Sequence, residues 1–256
     1  MAAGVVALAP PALHAQATRP APAAPIPLTP DRPGLTTGPA LLASGQRQVE
    51  TGYSFTRADD AIGHAVGEVL VRAALAPALE LRVALNSYEV ARSPEGRSTG
   101  LDDAHVGVKV RLAAGGDGPS LRPATALVAA TSVPTGGEAF GRHLVEPGAT
   151  LVAAWTLPRS AAMTVNLRTA NRDRGDGVRA EDYGVNAALG WSARPRLGTY
   201  VEYARDWHAG HAGAHYLGSG IAFTPVAAAQ LDAWTAVGVH RGAPDYRVGV
   251  GLARRF

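Results

Sequence analysis

The sequence predicts an all-β chain: a transmembrane antiparallel up-and-down β-barrel of about twelve strands. Three observations point there. Apolar and polar side chains alternate over segment after segment, most of them about nine to twelve residues long. Short and long connections take turns between these segments. The chain then ends on an aromatic residue, Phe256, that closes one more segment of the same kind.

The clearest alternation is "AHVGVKVRL", where Ala104, Val106, Val108, Val110 and Leu112 oppose His105, Gly107, Lys109 and Arg111. A helix would mix these sets, whereas a strand separates them. In "VETGYSF", Val49, Thr51, Tyr53 and Phe55 oppose Glu50, Gly52 and Ser54. The segments "MTVNLRT" and "YGVNAALGW" split in the same way. Strands are expected near 47–56, 67–75, 79–88, 103–112, 121–132, 148–157, 161–171, 182–192, 197–207, 214–223, 229–239 and 246–256. Ten residues at ~3.3 Å each, tilted ~40°, cover roughly 25 Å, the height of the apolar band of an outer-membrane barrel. The connections 76–78, 158–159, 193–196 and 224–228 read as tight turns, while 89–102, 134–146 and 171–182 read as long loops. An even strand count puts both termini at the short-turn, periplasmic end.

Alternation alone does not separate a membrane barrel from a soluble lipocalin-like one, which keeps its apolar face inward. The set opposite the apolar one is rich in Gly and Ala with scattered charges of both signs, unlike a uniformly solvated face. Aromatic residues gather toward segment ends, among them Tyr53, Trp155, Trp191, Phe223 and Phe256, as interfacial girdles require. The polar face therefore reads as the lumen. It holds Arg72, Arg82, Lys109, Arg111, Arg168, Glu202 and Asp232, expected to line a passage and set its selectivity. A barrel of this size is wider than the side-chain-filled eight-stranded kind and far below the porins, so the passage should be narrow. The Pro-rich stretch ahead of the strands, or an infolded loop, is a candidate to occlude it.

Outside the strands the sequence divides simply. Residues 1–17 are apolar with Ala15 and Ala17 in an A-x-A pattern, an export signal cut after Ala17, although no Arg or Lys precedes the run and Pro10 and Pro11 interrupt it. Residues 18–44 are crowded with Pro, which suits neither helix nor central strand, and read as a periplasmic arm. Residues 45–256 form the barrel. The formal charge of +3 is too weak to imply nucleic acid, and the absence of Cys excludes thiol catalysis, disulfides and Cys-based zinc sites.

The final strand carries Tyr246, Val248, Val250, Leu252 and Phe256 on one face. It should close the barrel against the first strand and serve as the signal read by the outer-membrane assembly machinery. Arg254 falls in the same lipid-facing register, close enough to the end to reach headgroups. The expected partners are outer-membrane lipids and lipopolysaccharide, that machinery, and a small-molecule cargo.

Three chemical motifs fail on inspection. "GGEAFGRH" (136–143) imitates a phosphate-binding loop but has Arg142 and His143 where Lys and Ser/Thr are needed, and no helix follows. His208, His211 and His215 are close in sequence, yet residues three apart on a strand face opposite sides, so no metal site is expected. A barrel hydrolase would need Ser and His on one face; there is no G-x-S-x-G, and pairing His105 with Ser132 or Ser219 has no basis in spacing. No enzyme and no cofactor are expected.

The stretches "DRPGLTTGPALLASGQRQVETGYSF" (31–55), "ELRVAL" (80–85), "GLDDAHVGVKVRL" (100–112), "SVPTGGEAFG" (132–141) and "APDYRVGVGLARRF" (243–256) occur in an order that resembles the MetA-pathway phenol-degradation family of bacterial outer-membrane proteins. The resemblance spans residues 31 to 256. It implies an outer-membrane barrel acting as a passive channel or transporter for small molecules, aromatic or hydrophobic ones included. A plugged structural or partner-binding barrel is the alternative. Gly34 stands where the resemblance would place an acidic residue after D-R-P.

Overall fold

The computed structural model describes residues 28–142, 144–173, 178–208, 213–240 and 242–256. Its regular elements are strands: β1 (Arg47–Ala58), β2 (Ala61–Ala76), β3 (Leu79–Ala84), β4 (Tyr88–Ser93), β5 (Gly96–Leu101), β6 (Ala104–Ala114), β7 (Ala124–Val133), β8 (Pro147–Leu157), β9 (Ala161–Asp173), β10 (Arg179–Arg194), β11 (Leu197–His208), β12 (Ala214–Val226), β13 (Ala229–Gly238) and β14 (Tyr246–Arg255). The export signal proposed for residues 1–17 and the first part of the arm lie outside the described residues.

Every pairing is antiparallel, and β1 bonds both β2 and β14, so the sheet closes on itself. The upper part of β2 pairs with β4 and its lower part with β3. β3 and β4 together therefore occupy one barrel position. β5 and β6 occupy the next, since β5 pairs with β4 and β6 with β3. Counted this way the barrel has twelve positions. Closure leaves no unpaired edge among the strands that cross the belt, which is what lets them span a bilayer, and β5, above the belt, pairs with β4 alone.

Three connections differ from the sequence expectation, one being 171–182, which is taken up at its ends by β9 as far as Asp173 and by β10 from Arg179. The stretch 89–102 is not a loop but the β4–β5 hairpin, rising past β2 at the end of the barrel away from the termini. The first outer connection is a two-residue turn, with Ala58 facing Ala61 and Asp59 at φ 48, so β2 starts at Ala61.

Burial is inverted relative to a soluble protein. The largest fully buried side chains are Arg72, Lys109, Gln48, Glu50, Glu80 and Val152. Large apolar side chains such as Leu112, Leu167, Leu217, Ile221 and Val250 are exposed on the outer wall. The strand periodicity is thus as expected, with the apolar set outside. An inner wall of charges is stable only if those charges find partners there, because each would otherwise sit desolvated and unpaired.

Candidate functional site

The partners come from the Pro-rich segment, read from the sequence as a periplasmic arm and as a candidate to occlude the passage. Residues 29–42 lie inside the lumen and run once around its wall, a correction to their reading as a periplasmic arm. The physical reason is a match of bonding groups. A Pro-rich chain cannot join the sheet, so its free backbone N–H and C=O groups bond inward-facing side chains instead.

The circuit starts and finishes at Arg72. Its guanidinium donates to the Thr29 carbonyl (2.7 Å) and the Ala40 carbonyl (3.2 Å), tying both ends of the loop to β2. It is itself held by Glu80 through two hydrogen bonds (2.8 and 2.9 Å) and by Glu50 (3.0 Å). Asp31 then joins this group, accepting Lys109 Nζ (3.0 and 3.2 Å) and the Arg82 guanidinium. Three carboxylates (Asp31, Glu50, Glu80) balance three cations (Arg72, Arg82, Lys109). Burial alone would raise the Asp31 carboxyl, which lies outside every strand, but the Lys109, Arg82 and Arg72 charges outweigh it and hold it below the usual carboxylate range.

From Asp31 the loop follows the wall past β1 toward β14 and β13. Arg32 donates to Glu68 (3.2 Å) and to the Val250 carbonyl (3.0 Å), with Asp232 3.6 Å from its Nε. Its guanidinium fills a slot between Gly52 and Gly251, where any Cβ would collide with it. Glu68 reaches Arg32 through a bulge in which Gly67 has φ 101 and Glu68 itself φ 24, a strained backbone that aims the carboxylate inward. Glu202 accepts the Leu35 N–H (2.9 Å) and the Thr36 hydroxyl (2.9 Å). Asn166 exchanges two hydrogen bonds with the Thr37 backbone (2.8 and 2.9 Å), as a strand partner would. Leu41 packs on Ala126 and Val152, and Leu42 N–H returns to Glu80 (3.0 Å).

Gly34 is explained by this path. Its φ is +94, and a Cβ there would stand 2.5 Å from the Tyr200 hydroxyl and 2.7 Å from Glu202. An acidic side chain would be strained, crowded and beside an existing carboxylate.

Five residues expected to line the passage, Arg72, Arg82, Lys109, Glu202 and Asp232, therefore touch or face the inner loop. The other two do not. Arg168 pairs with Asp206 on the β9–β11 wall, part of a ladder continued by Arg172 with Asp182 (3.3 Å). Arg111 is exposed near the turn end of β6. The sequence reading missed Asp31, Arg32, Gln48, Asn166 and Asn186. The lumen register contained the last three, but amides carry no charge to draw attention.

Beyond the loop, toward the end opposite the termini, lies a cavity of about 500 Å³ lined by Ser54, Glu68, Glu89, His105, Arg172 and Arg247 among others. The 134–146 connection folds over it. Asp103 accepts the backbone N–H groups of Thr135 (3.0 Å), Gly136 (2.8 Å) and Arg142 (2.8 Å). The phosphate-loop imitation is thus an anion-binding turn already filled by a carboxylate of its own chain. Ser132 faces His105 across β6–β7, but its hydroxyl donates to the Leu144 carbonyl (2.8 Å) and accepts the Glu146 N–H (2.9 Å), so it anchors the same connection. Ser219 is on the outer face. His208 and His215 lie on opposite faces of the barrel wall, and His211 lies outside the described residues.

β14 pairs with β1 through ten residue pairs, from Gln48 with Arg255 to Arg57 with Tyr246, closing the barrel as expected. Arg254 sits at the terminal end with its guanidinium 5.8 Å from the Phe256 ring centroid.

A family model described as "Putative MetA-pathway of phenol degradation" matches residues 30–256. No curated protein sequence matches the chain. Among solved structures, the COG4313 outer membrane channel from Pseudomonas putida F1 superposes with a TM-score of 0.62 at 13% identity, over 85% of this chain and 97% of that one. The KdgM porin in complex with disordered oligogalacturonate gives 0.53 at 9%, over 82% and 99%. The NanC porin gives 0.51 at 10%, over 81% and 98%. At these identities the likeness establishes a shared barrel fold.

Proposed function

Because this chain belongs to the MetA-pathway phenol-degradation family, we propose that it is a passive outer-membrane channel for small molecules, narrowed by its own N-terminal loop. One observation carries this reading: Arg72, Lys109, Glu50 and Glu80, among the largest fully buried side chains, face the lumen of a barrel with more strand positions than the eight whose interior side chains alone fill. Solutes enter the 500 Å³ cavity and diffuse past the inner loop. The cavity lining favours small polar or charged solutes, since Glu68, Glu89, Arg172 and Arg247 face it and Phe140 is its single large hydrocarbon ring. Arg168 and Arg172, on one wall, would then bias which ions pass.

The plugged, partner-binding barrel remains the second reading. The observation that favours it is the completeness of the loop's bonding around the wall. Planar-bilayer recording separates the two. The channel reading expects small, discrete current steps from the heat-modifiable barrel, growing with salt concentration. A correctly folded barrel that inserts without any current would reject it.

A further inference from the structure

Beside β10–β13, the outer wall carries a strip that the channel does not use. Tyr183 stacks on Trp207 with ring centroids 5.8 Å apart, and the Arg205 guanidinium lies 5.0 Å from the Trp207 centroid. Arg205 is the direct cross-strand partner of His215. His215 accepts or donates at Nδ1 to the Tyr203 hydroxyl (2.7 Å), and its ring lies 5.2 Å from that of His240. Tyr183, Trp207, Arg205, His215 and Tyr203 share the register of Val201 and Leu217, which are exposed on the outer face, while His240 follows the end of β13 and brings its ring against His215.

Height and charge give this strip a meaning. Arg205 is eight positions beyond Leu197, where β11 begins. At ~3.3 Å per residue and ~40° tilt it stands roughly 20 Å up the wall, at the upper edge of an apolar belt. On the lumen side of the same strands, Arg168 is matched by Asp206 and Arg172 by Asp182. Among the described residues, Arg205, His215 and His240 form no ion pair with a carboxylate. The ring beneath Arg205 fixes the guanidinium plane and leaves its N–H edge free. With the Tyr203 hydroxyl donating to Nδ1, His215 presents Nε2–H as a second donor. A planar cation and an imidazole N–H side by side, above hydrocarbon and flanked by aromatic rings, match a phosphate carried on a lipid.

We propose that Arg205, His215 and His240 bind a phosphate of the outer-leaflet glycolipid, with Tyr183 and Trp207 packed against its sugar or upper acyl region. This site rests on the outer-membrane placement given above and adds a lipid partner fixed to one sector of the barrel.

The test uses the refolded, lipid-free barrel in detergent and reads the temperature at which its compact gel form is lost. Bisphosphorylated lipid A should raise that midpoint by about 3 °C. Its dephosphorylated form should raise it much less, and inorganic phosphate alone should leave it unchanged. The double variant Arg205→Ala/His215→Ala should lose the difference between the two lipids while keeping wild-type conductance. Arg205→Lys, which retains the charge, should keep part of it, showing that the loss is not misfolding. Equal stabilisation by phosphorylated and dephosphorylated lipid, an undiminished difference in the double variant, or full protection by inorganic phosphate would each overturn the proposal. A wild-type chain absent from the outer-membrane fraction would instead defeat the placement on which it rests, before any lipid is added.

Discussion

Replacing Asp31 with Ala should raise single-channel conductance roughly two- to threefold while leaving the barrel folded. The carboxylate is the third anion of a group that balances three cations, and it is the one supplied by the loop. Its removal leaves Lys109 fully buried with, among the described residues, the Gly38 and Ala40 carbonyls as its remaining hydrogen-bond partners (2.8 and 3.5 Å). Breaking a buried ion pair on one side costs about 3–5 kcal/mol. That cost falls on seating the loop, because the strand ladders remain intact. Asp31→Asn/Lys109→Met removes one charge of each sign and should restore much of the wild-type conductance, which a simple loss of fold would not.

The same group sets a pH response. A carboxyl held below its ordinary value contributes fully above that ordinary value, near 3.8, and loses its contribution as pH falls toward the depressed one. Conductance should therefore be flat from pH 8 to about 5 and climb only in stronger acid, below about pH 4. A rise centred near neutrality would mean that some group other than Asp31 seats the loop.

Deleting Phe256 should cut the assembled fraction by about tenfold, whereas Phe256→Tyr should assemble nearly as wild type. The backbone of Phe256 closes the seam, donating to the Arg47 carbonyl (2.8 Å) and accepting from its N–H (3.3 Å). Two such hydrogen bonds at about 1 kcal/mol each are enough by themselves for a change of this size. The ring is 71% exposed and packs on nothing inside the barrel apart from the Arg254 guanidinium nearby. Whatever the ring contributes is therefore read from outside, by lipid or by the assembly machinery. Heat-modifiable gel migration of the membrane fraction measures both variants. Equal assembly would reject the terminal residue as a signal.

The strands were legible because one face meets hydrocarbon, which enforces a period of two on residues such as Val106, Val108 and Val110. Where that pressure stops, the pattern stops. The β4–β5 hairpin rises beyond the belt, and its second strand, Gly96–Leu101, is polar on both faces, so it read as a loop. The Pro-rich stretch was a candidate to occlude the passage, but the path of the inner loop was hidden for a different reason. Its partners, Glu50, Asn166, Glu202 and Asp232, are scattered across the chain and become neighbours only when the barrel closes. The lumen charges were identified correctly as a set. Cross-strand pairs among them are real, as Arg72 with Glu80 shows, but alternation says nothing about Asp31, which belongs to no strand.

Gly38 offers the most direct measurement of the loop's place in the passage. A Cβ built there meets no atom within 4 Å, so a side chain would project into open lumen between the Lys109 and Asn166 contacts. The chain contains no Cys, so Gly38→Cys supplies a single thiol. A charged thiol-specific reagent added to single open channels of this variant should reduce the current in one irreversible step by about half or more. An unchanged current after confirmed labelling would show that ions do not pass the loop, and the account of a channel narrowed by its own N-terminal segment would fail.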